Sequence, residues 1–399
     1  MNYYDLGTYS RPVTTSSDAA QKWFDRGLIW TYAYHHEEAI ACFNNALKED
    51  ETCAMAHWGI AYAIGPNYNK PWEAFEDDEK PDALKQAQDA IAAAAALKDK
   101  VSTWERALIE ALPHRYPKDA SVDAYAPWND AYANAMREVH EAHADDLDVC
   151  CLFAEAIMNR TPWQLWDLPS GQPADGADTL EAISVLEEAF NTLEGAWSHP
   201  GLLHMYIHLM EMSPHPEKAL RHGDALSTLV PDAGHLLHMA THIDVLCGDY
   251  QNVVSRNHTA IRADRKNLER AGAENFYSVY RCHNYHFKIY GAMFLGQPTP
   301  ALKTADELIA TLPKETLAPM ADWFEGFIPM KQHVLVRFGR WHDILAQTLP
   351  DDPDLYSVTT AMMHYARTVA LANTRALTEA DAEKDVFFAA RDRVPESRM

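Results

Sequence analysis

Residues 23–50 read WFDRGLIWTYAYHHEEAIACFNNALKED. Trp23, Gly27, Trp30, Ala39, Phe43 and Ala46 place large and small residues in the order W-x3-G-x2-W-x8-A-x3-F-x2-A. Apolar residues recur at helical intervals on both sides of Tyr34-His35-His36, so the stretch reads as two helices, the second opening at the histidines. The small residues let two antiparallel helices approach closely, and the large ones fill the groove between them.

The second-helix half of this pattern, A-x3-(F/L/G)-x2-(A/L), returns along the chain. It appears at Ala182/Leu186/Ala189, Ala219/Gly223/Leu226, Val253/Asn257/Ala260 and Ala301/Ala305/Leu308. Pro231 and Pro313 follow two of these copies, and weaker copies sit at Ala83/Ala87/Ala90, Ala131/Ala135 and around Ile344. Ala219 and Val253 are 34 residues apart, the tetratricopeptide (TPR) period; neighbouring steps of 37 and 48 mark insertions. A single helix pair cannot bury its apolar stripe, so the pairs must stack into one continuous core. The expected fold is all-α: a TPR-like right-handed superhelical solenoid of antiparallel helix pairs over 18–390. An arm (1–17) precedes it, and a polar, flexible tail (391–399) follows. Insertions are expected at about 66–80, with Pro66, Pro71 and the acidic run Glu76-Asp77-Asp78-Glu79, and at 161–177. The second holds Pro162, Pro169, Gly171, Pro173 and Gly176 with Trp163 and Trp166, and reads as a lid beside the first histidine-bearing helix.

Composition narrows the function classes. With 34 Lys+Arg against 58 Asp+Glu the net charge is -24, which repels phosphate and argues against a nucleic-acid or anionic-membrane binder. The six cysteines form no C-x-x-C pair, as expected of free thiols in a reducing compartment. The N-terminus lacks the basic-then-apolar layout of a signal peptide, and the apolar run Ile91 to Leu97 is too short to span a bilayer. A cytoplasmic protein is the expectation.

The twenty histidines are unevenly spread. Counting back from each second-helix alanine puts first helices near Pro200, Gly234 and Cys282. They carry His204/His208 (HMYIH), His238/His242 (HMATH) and His283/His286 (HNYH). The first two pairs are spaced i,i+4, so each shares one helix face. His204 to His238 and His208 to His242 are both steps of 34, so equivalent inward positions repeat the residue. A single helical histidine is more often a core or surface residue; the repetition is what favours a metal site. Neutral imidazole suits Zn, Cu, Fe or Ni, and the expected cofactor is a transition metal ion, Cu or Fe favoured, Zn or Mn as alternatives. The leading reading is a metal-dependent oxidoreductase acting on a small organic molecule in the concave groove. All six histidines would bind metal, Glu211 would be a ligand or proton-transfer group, and Tyr285, with Tyr206, would stand beside the ligands. His235 and His333 are outer members. A metal-dependent hydrolase, and a TPR interaction module binding a peptide or small ligand in a histidine-lined groove, are the alternatives.

Other signals are weaker. His140-Glu141-x-His143 is not the zinc-protease H-E-x-x-H, and Cys282 reads as an inert buried thiol. No G-x-x-x-x-G-K-[ST], G-x-G-x-x-G or G-x-S-x-G is present, which removes the usual sequence evidence for nucleotide binding or an α/β-hydrolase.

Five stretches carry a resemblance: CAMAHWGIAYAIGPNYN (53–69), AEAIMNRTPWQLWD (154–167), HPGLLHMYIHLMEMSPHPEKAL (199–220), AGHLLHMATHIDVLCGDY (233–250) and RCHNYHF (281–287). In them the chain resembles a family of TPR-like proteins widespread in bacteria and fungi. More distantly, the H-x3-H-I and H-N-Y-H-F pieces look like those of tetratricopeptide repeat protein 38. The chain has Ala240 where the family usually has Pro, and Asp249 where it has a basic residue. These departures leave the histidines in place and bear on the helix start and the groove charge. The resemblance implies the fold and carries no general activity.

Overall fold

Phe43 shows how the first helices pack. A computed structural model describes residues 3–116 and 124–398. Helices Asp18–Tyr32, His36–Glu49 and Ala54–Ile64 follow one another, and the Phe43 ring on the second fits against Gly27 on the first and Gly59 on the third. A Cβ at either glycine would come within 2.5 Å of that ring. The first helix starts where the Ser17 side chain accepts from the Ala20 amide. The three-residue turn 33–35 then reverses the chain, with Tyr34 at φ 55, a left-handed backbone usually left to glycine.

The same arrangement continues along the chain. Helices pack on their sequence neighbours, the chain is all-α, and it is TPR-like in this local pairing. By internal packing it divides into two compact units, 1–247 and 248–399.

In the first unit the helix Pro200–Met210 lies at the centre. It packs on Asp18–Tyr32, Leu147–Met158, Thr179–Thr192, Leu220–Leu226 and Gly234–Leu246, and every one of its side chains is buried. Its start is locally encoded: the His199 ring accepts from the Leu202 amide, and Pro200 occupies the first turn. The N-terminal residues lie along this unit. The Tyr3 hydroxyl donates to Glu38 (2.7 Å), the Asp5 amide to Asp232 (2.8 Å) and the Tyr9 hydroxyl to Asp148 (2.7 Å). The segment 161–177 contains the strands among the described residues, Trp166–Asp167 paired antiparallel with Gln172–Pro173.

The second unit begins with Tyr250–Ala271 and Tyr277–Phe294, packed on each other. The latter starts five residues before the Cys282 expected from the sequence, and just ahead of it the Asn275 side chain accepts from the Ser278 amide (3.0 Å). Cys282, Tyr285, Ile289, Leu308, Phe324 and Val334 build its core. Near the C-terminus Arg398 pairs with Asp322. Among the described residues no helix is long and apolar enough to cross a membrane.

Candidate metal centre

The two histidine-bearing helices of the first unit begin at Pro200 and Gly234, the positions counted from the repeat. They pack against each other and set five imidazoles and one carboxylate in a row through the core. His204 and His208, one turn apart, have ring centroids 4.7 Å apart. His204 Nδ1 lies 2.7 Å from the carbonyl oxygen of Tyr32, which can only accept, so this nitrogen carries the proton and Nε2 presents a lone pair. His208 Nδ1 is 2.7 Å from Glu211 Oε1, and the same reasoning leaves its Nε2 as a lone pair. That Nε2 is buried and has no hydrogen-bond partner.

The third ring is His235, not the His238 indicated by the step of 34. His235 Nε2 lies 3.2 Å from His204 Nε2, and ring nitrogens of His204, His208 and His235 all fall within 4.8 Å of one another. Two nitrogens bound to one ion at about 2.1 Å sit roughly 3.0–3.4 Å apart. The His204–His235 pair already has that spacing, and His208 lies near enough to supply a third nitrogen. His238 turns instead to His242, with their Nε2 atoms 2.8 Å apart. Thr241 fixes His238: its hydroxyl donates to the His238 carbonyl (2.7 Å) and lies 3.2 Å from Nδ1. Glu211 joins the two helices, since one oxygen meets His208 and the other His242 Nδ1. Both of its oxygens are therefore engaged by imidazoles.

The electrostatics favour neutral rings with an ionised carboxylate. Burial, reinforced by His208, holds His204 well below the usual histidine range. Burial, with His204 and His208 next, does the same to His235. Burial also lowers His208, against the opposing pull of Glu211. For Glu211 burial acts upward, but His242 and His208 together hold its carboxyl far below the ordinary value. Neutral imidazoles with bare nitrogens are the protonation state a metal ion requires.

Three aromatic rings enclose His208: Trp163, which the sequence reading placed in a lid beside this helix, and Tyr34 and Tyr68, which it missed. Tyr34 stacks at 6.0 Å from its ring and 4.7 Å from His204, Tyr68 lies at 5.0 Å, and Trp163 stands edge-on at 5.7 Å. Trp166, on the same loop as Trp163, donates from its indole to the Leu209 carbonyl (2.7 Å) and ties the loop to the histidine helix. Tyr34, Tyr68 and Trp163 come from three separate segments, and only the density of Pro, Gly and Trp in 161–177 hinted at any of them.

The Tyr206 hydroxyl donates to Glu187 (2.9 Å) and its ring packs on His222 at 4.0 Å, so it does not orient the histidine ligands as expected. Within the second unit, His283 and His286 have ring centroids 6.0 Å apart, and burial, then His333, lowers His286 to about 4. Tyr285 packs into that unit's core, beside Arg265. Cys282 is buried there, its thiol pushed up to about 11 by burial. His140 packs on Phe153 at 4.9 Å.

No family model matches this chain, and no curated protein matches it. Two solved structures share a weak likeness with it. One is the APC/C hetero-tetramer Cut9–Hcn1, 12% identical over 96% of this chain and 76% of that one, with a TM-score of 0.29. The other is the TPR domain of P58(IPK), 15% identical over 95% of this chain and 97% of that one, with a TM-score of 0.22. Likeness at this level carries no argument about the site.

Proposed function

We propose that the protein binds a transition metal ion through His204, His208 and His235 and uses it as an oxidoreductase on a small organic molecule. The observation that carries the metal reading is His208 Nε2: a buried lone pair whose ring is held by Glu211, with no donor to meet it. A buried acceptor left unsatisfied costs about 1–3 kcal/mol, which a bound cation would remove. The surroundings match the pattern around metal-bound histidines, in which the second ring nitrogen donates to a carboxylate or a backbone carbonyl. Here Glu211 and the Tyr32 carbonyl take those places. An all-imidazole set suits Cu, Zn and Fe, and redox work selects Cu or Fe.

The test is elemental analysis of the dialysed protein. About one equivalent of Cu, Fe, Zn or Mn per chain is expected, and His208→Ala and His204→Ala should each lose most of it. Wild-type protein that retains no metal, or a His208→Ala variant that retains as much as wild type, overturns the reading.

One observation favours a second reading. His235 meets His204, His238 meets His242, and Glu211 meets both His208 and His242, so much of the row is satisfied by its own members. In that reading the histidines line a groove that binds an organic ligand or a peptide. Protein without metal that keeps its full stability would select it.

A further inference from the structure

His204, His208 and His235 are fully enclosed, so any ion that reaches them must pass a wall that moves. Of the three rings around His208, Tyr34 and Tyr68 are buried at 3% and 0% exposure, whereas Trp163 is 40% exposed. Its indole rests edge-on against His208 and at 5.3 Å from Tyr68. Its other side lines a surface pocket of about 540 Å³, shared with Gln164, Asp167, Ser170, Asp175 and Met212. Met212 directly follows Glu211, so this pocket and the histidine row meet at Trp163.

The loop is fastened on both sides of this residue. The Gln164 amide donates to the Thr161 carbonyl (3.0 Å), Trp166 is bonded to Leu209, and the Thr179 hydroxyl donates to the Leu165 carbonyl. Trp163 itself sits at φ 61, a left-handed conformation that costs a side-chain-bearing residue roughly 1 kcal/mol or more. A half-exposed ring between firm anchors can turn outward without unfolding the loop.

We propose that Trp163 is the gate of the histidine cluster: a divalent transition-metal cation gathers in the outer pocket, beside Asp167 and Asp175, and reaches His208 when the indole swings out. This rests on the metal reading above and adds the route and the residue that controls it. The ring contacts His208 from outside the nitrogen triad, so its removal should change how fast metal exchanges and leave the amount bound unchanged.

The experiment uses the full chain freed of metal, with Co²⁺ as the probe, followed by absorbance in a stopped-flow instrument and by equilibrium titration. For Trp163→Ala, uptake and release should both accelerate by about tenfold or more at unchanged stoichiometry and affinity, with Trp163→Phe in between. Circular dichroism checks the fold of each variant, and the Phe variant keeps an aromatic filler should the Ala variant be unstable. Unchanged rates in folded variants that bind one Co²⁺ overturn the gate and leave the metal reading standing. Wild-type protein that takes up no Co²⁺ overturns the metal reading, and the gate with it.

Discussion

Glu211 ends the helix Pro200–Met210 and holds an imidazole with each oxygen, His208 on its own helix and His242 on the next. A carboxylate can accept at both oxygens, whereas the amide of glutamine accepts at one and must donate at the other. Glu211→Gln therefore leaves one ring without its partner while preserving shape. If the triad binds metal, the variant should weaken Co²⁺ affinity by about 10- to 100-fold, the usual effect of losing a residue that orients a ligand. Equilibrium titration reads this directly, and affinity equal to wild type would show that Glu211 does not orient the site. Backbone strain points to the same place. Of the three described non-glycine residues with positive φ, Tyr34 and Trp163 both pack on His208, and the third, Arg375, follows the C-cap of the Ser357–Asn373 helix. Arg375 is the ordinary case, since helices often end on a left-handed residue that glycine suits best. Tyr34 and Trp163 keep a large ring where glycine would fit, and the ring is what meets the histidine.

At the scale of the element, close helix packing depends on glycines that accept one phenyl ring. Gly27→Ala and Gly59→Ala would each gain helix propensity, up to about 1 kcal/mol in an exposed helix interior. Each would also drive a methyl group to 2.5 Å from the fully buried Phe43, which has no room to retreat. Overpacking of this kind costs about 1–3 kcal/mol, so destabilisation should win for both. Chemical denaturation of each variant should show a lower midpoint, and Phe43→Leu should relieve much of the effect because the two sites couple through that ring. A Gly59→Ala variant as stable as wild type would mean that the Ala54–Ile64 helix can shift, against the packing described. The Pro200–Met210 helix is constrained in the same way. A Cβ at Gly201 would lie 2.6 Å from Cys151 Sγ and 2.7 Å from the Tyr32 ring, so its position, and that of His204, is set by neighbours on two sides.

Across the whole molecule, the buried titratable groups predict how stability depends on pH. Burial lowers His36 and His222 to about 4. Between that value and the ordinary histidine value near 6.5 the unfolded chain binds protons that the folded chain does not, so stability is greatest above about 6.5 and declines as pH falls toward 4. Asp148 extends the loss. Burial alone would raise it, but His199 and Arg11 hold it at about 2, and it accepts from Tyr9 and Tyr32. A depressed carboxylate contributes stability that is present above its unfolded value and lost as pH falls through the folded one, here between about 4 and about 2. Thermal unfolding followed from about pH 7 to about pH 3 should show a progressive fall in Tm that continues below about pH 4 as the Asp148 contribution is lost. A midpoint that stays flat down to about pH 4 would show that the two histidines are free to protonate in the folded state.

Some of this was written in local sequence. The helix pair around Gly27 and Phe43, the helix starts at Pro200 and Gly234, and the shared face of His204 and His208 follow from short-range periodicity and capping, which act within a few residues. Other features had no local signature. The step of 34 pairs His204 with His238, but a repeat period says nothing about how one helix is rotated on its neighbour. That rotation brings His235, three residues earlier, against His204 and turns His238 toward His242. The third histidine helix starts at Tyr277, upstream of the counted pattern, with the Asn275 side chain bonded to the Ser278 amide. The enclosure of His208 by Tyr34, Tyr68 and Trp163 joins residues from a turn and two insertions, whose meeting depends on chain packing over long sequence distances. The sequence by itself determined the helices and the faces that carry histidine. Only the tertiary structure decided which nitrogens share a centre and which ring covers it, because those outcomes depend on helix rotation and loop docking, which no short-range spacing encodes.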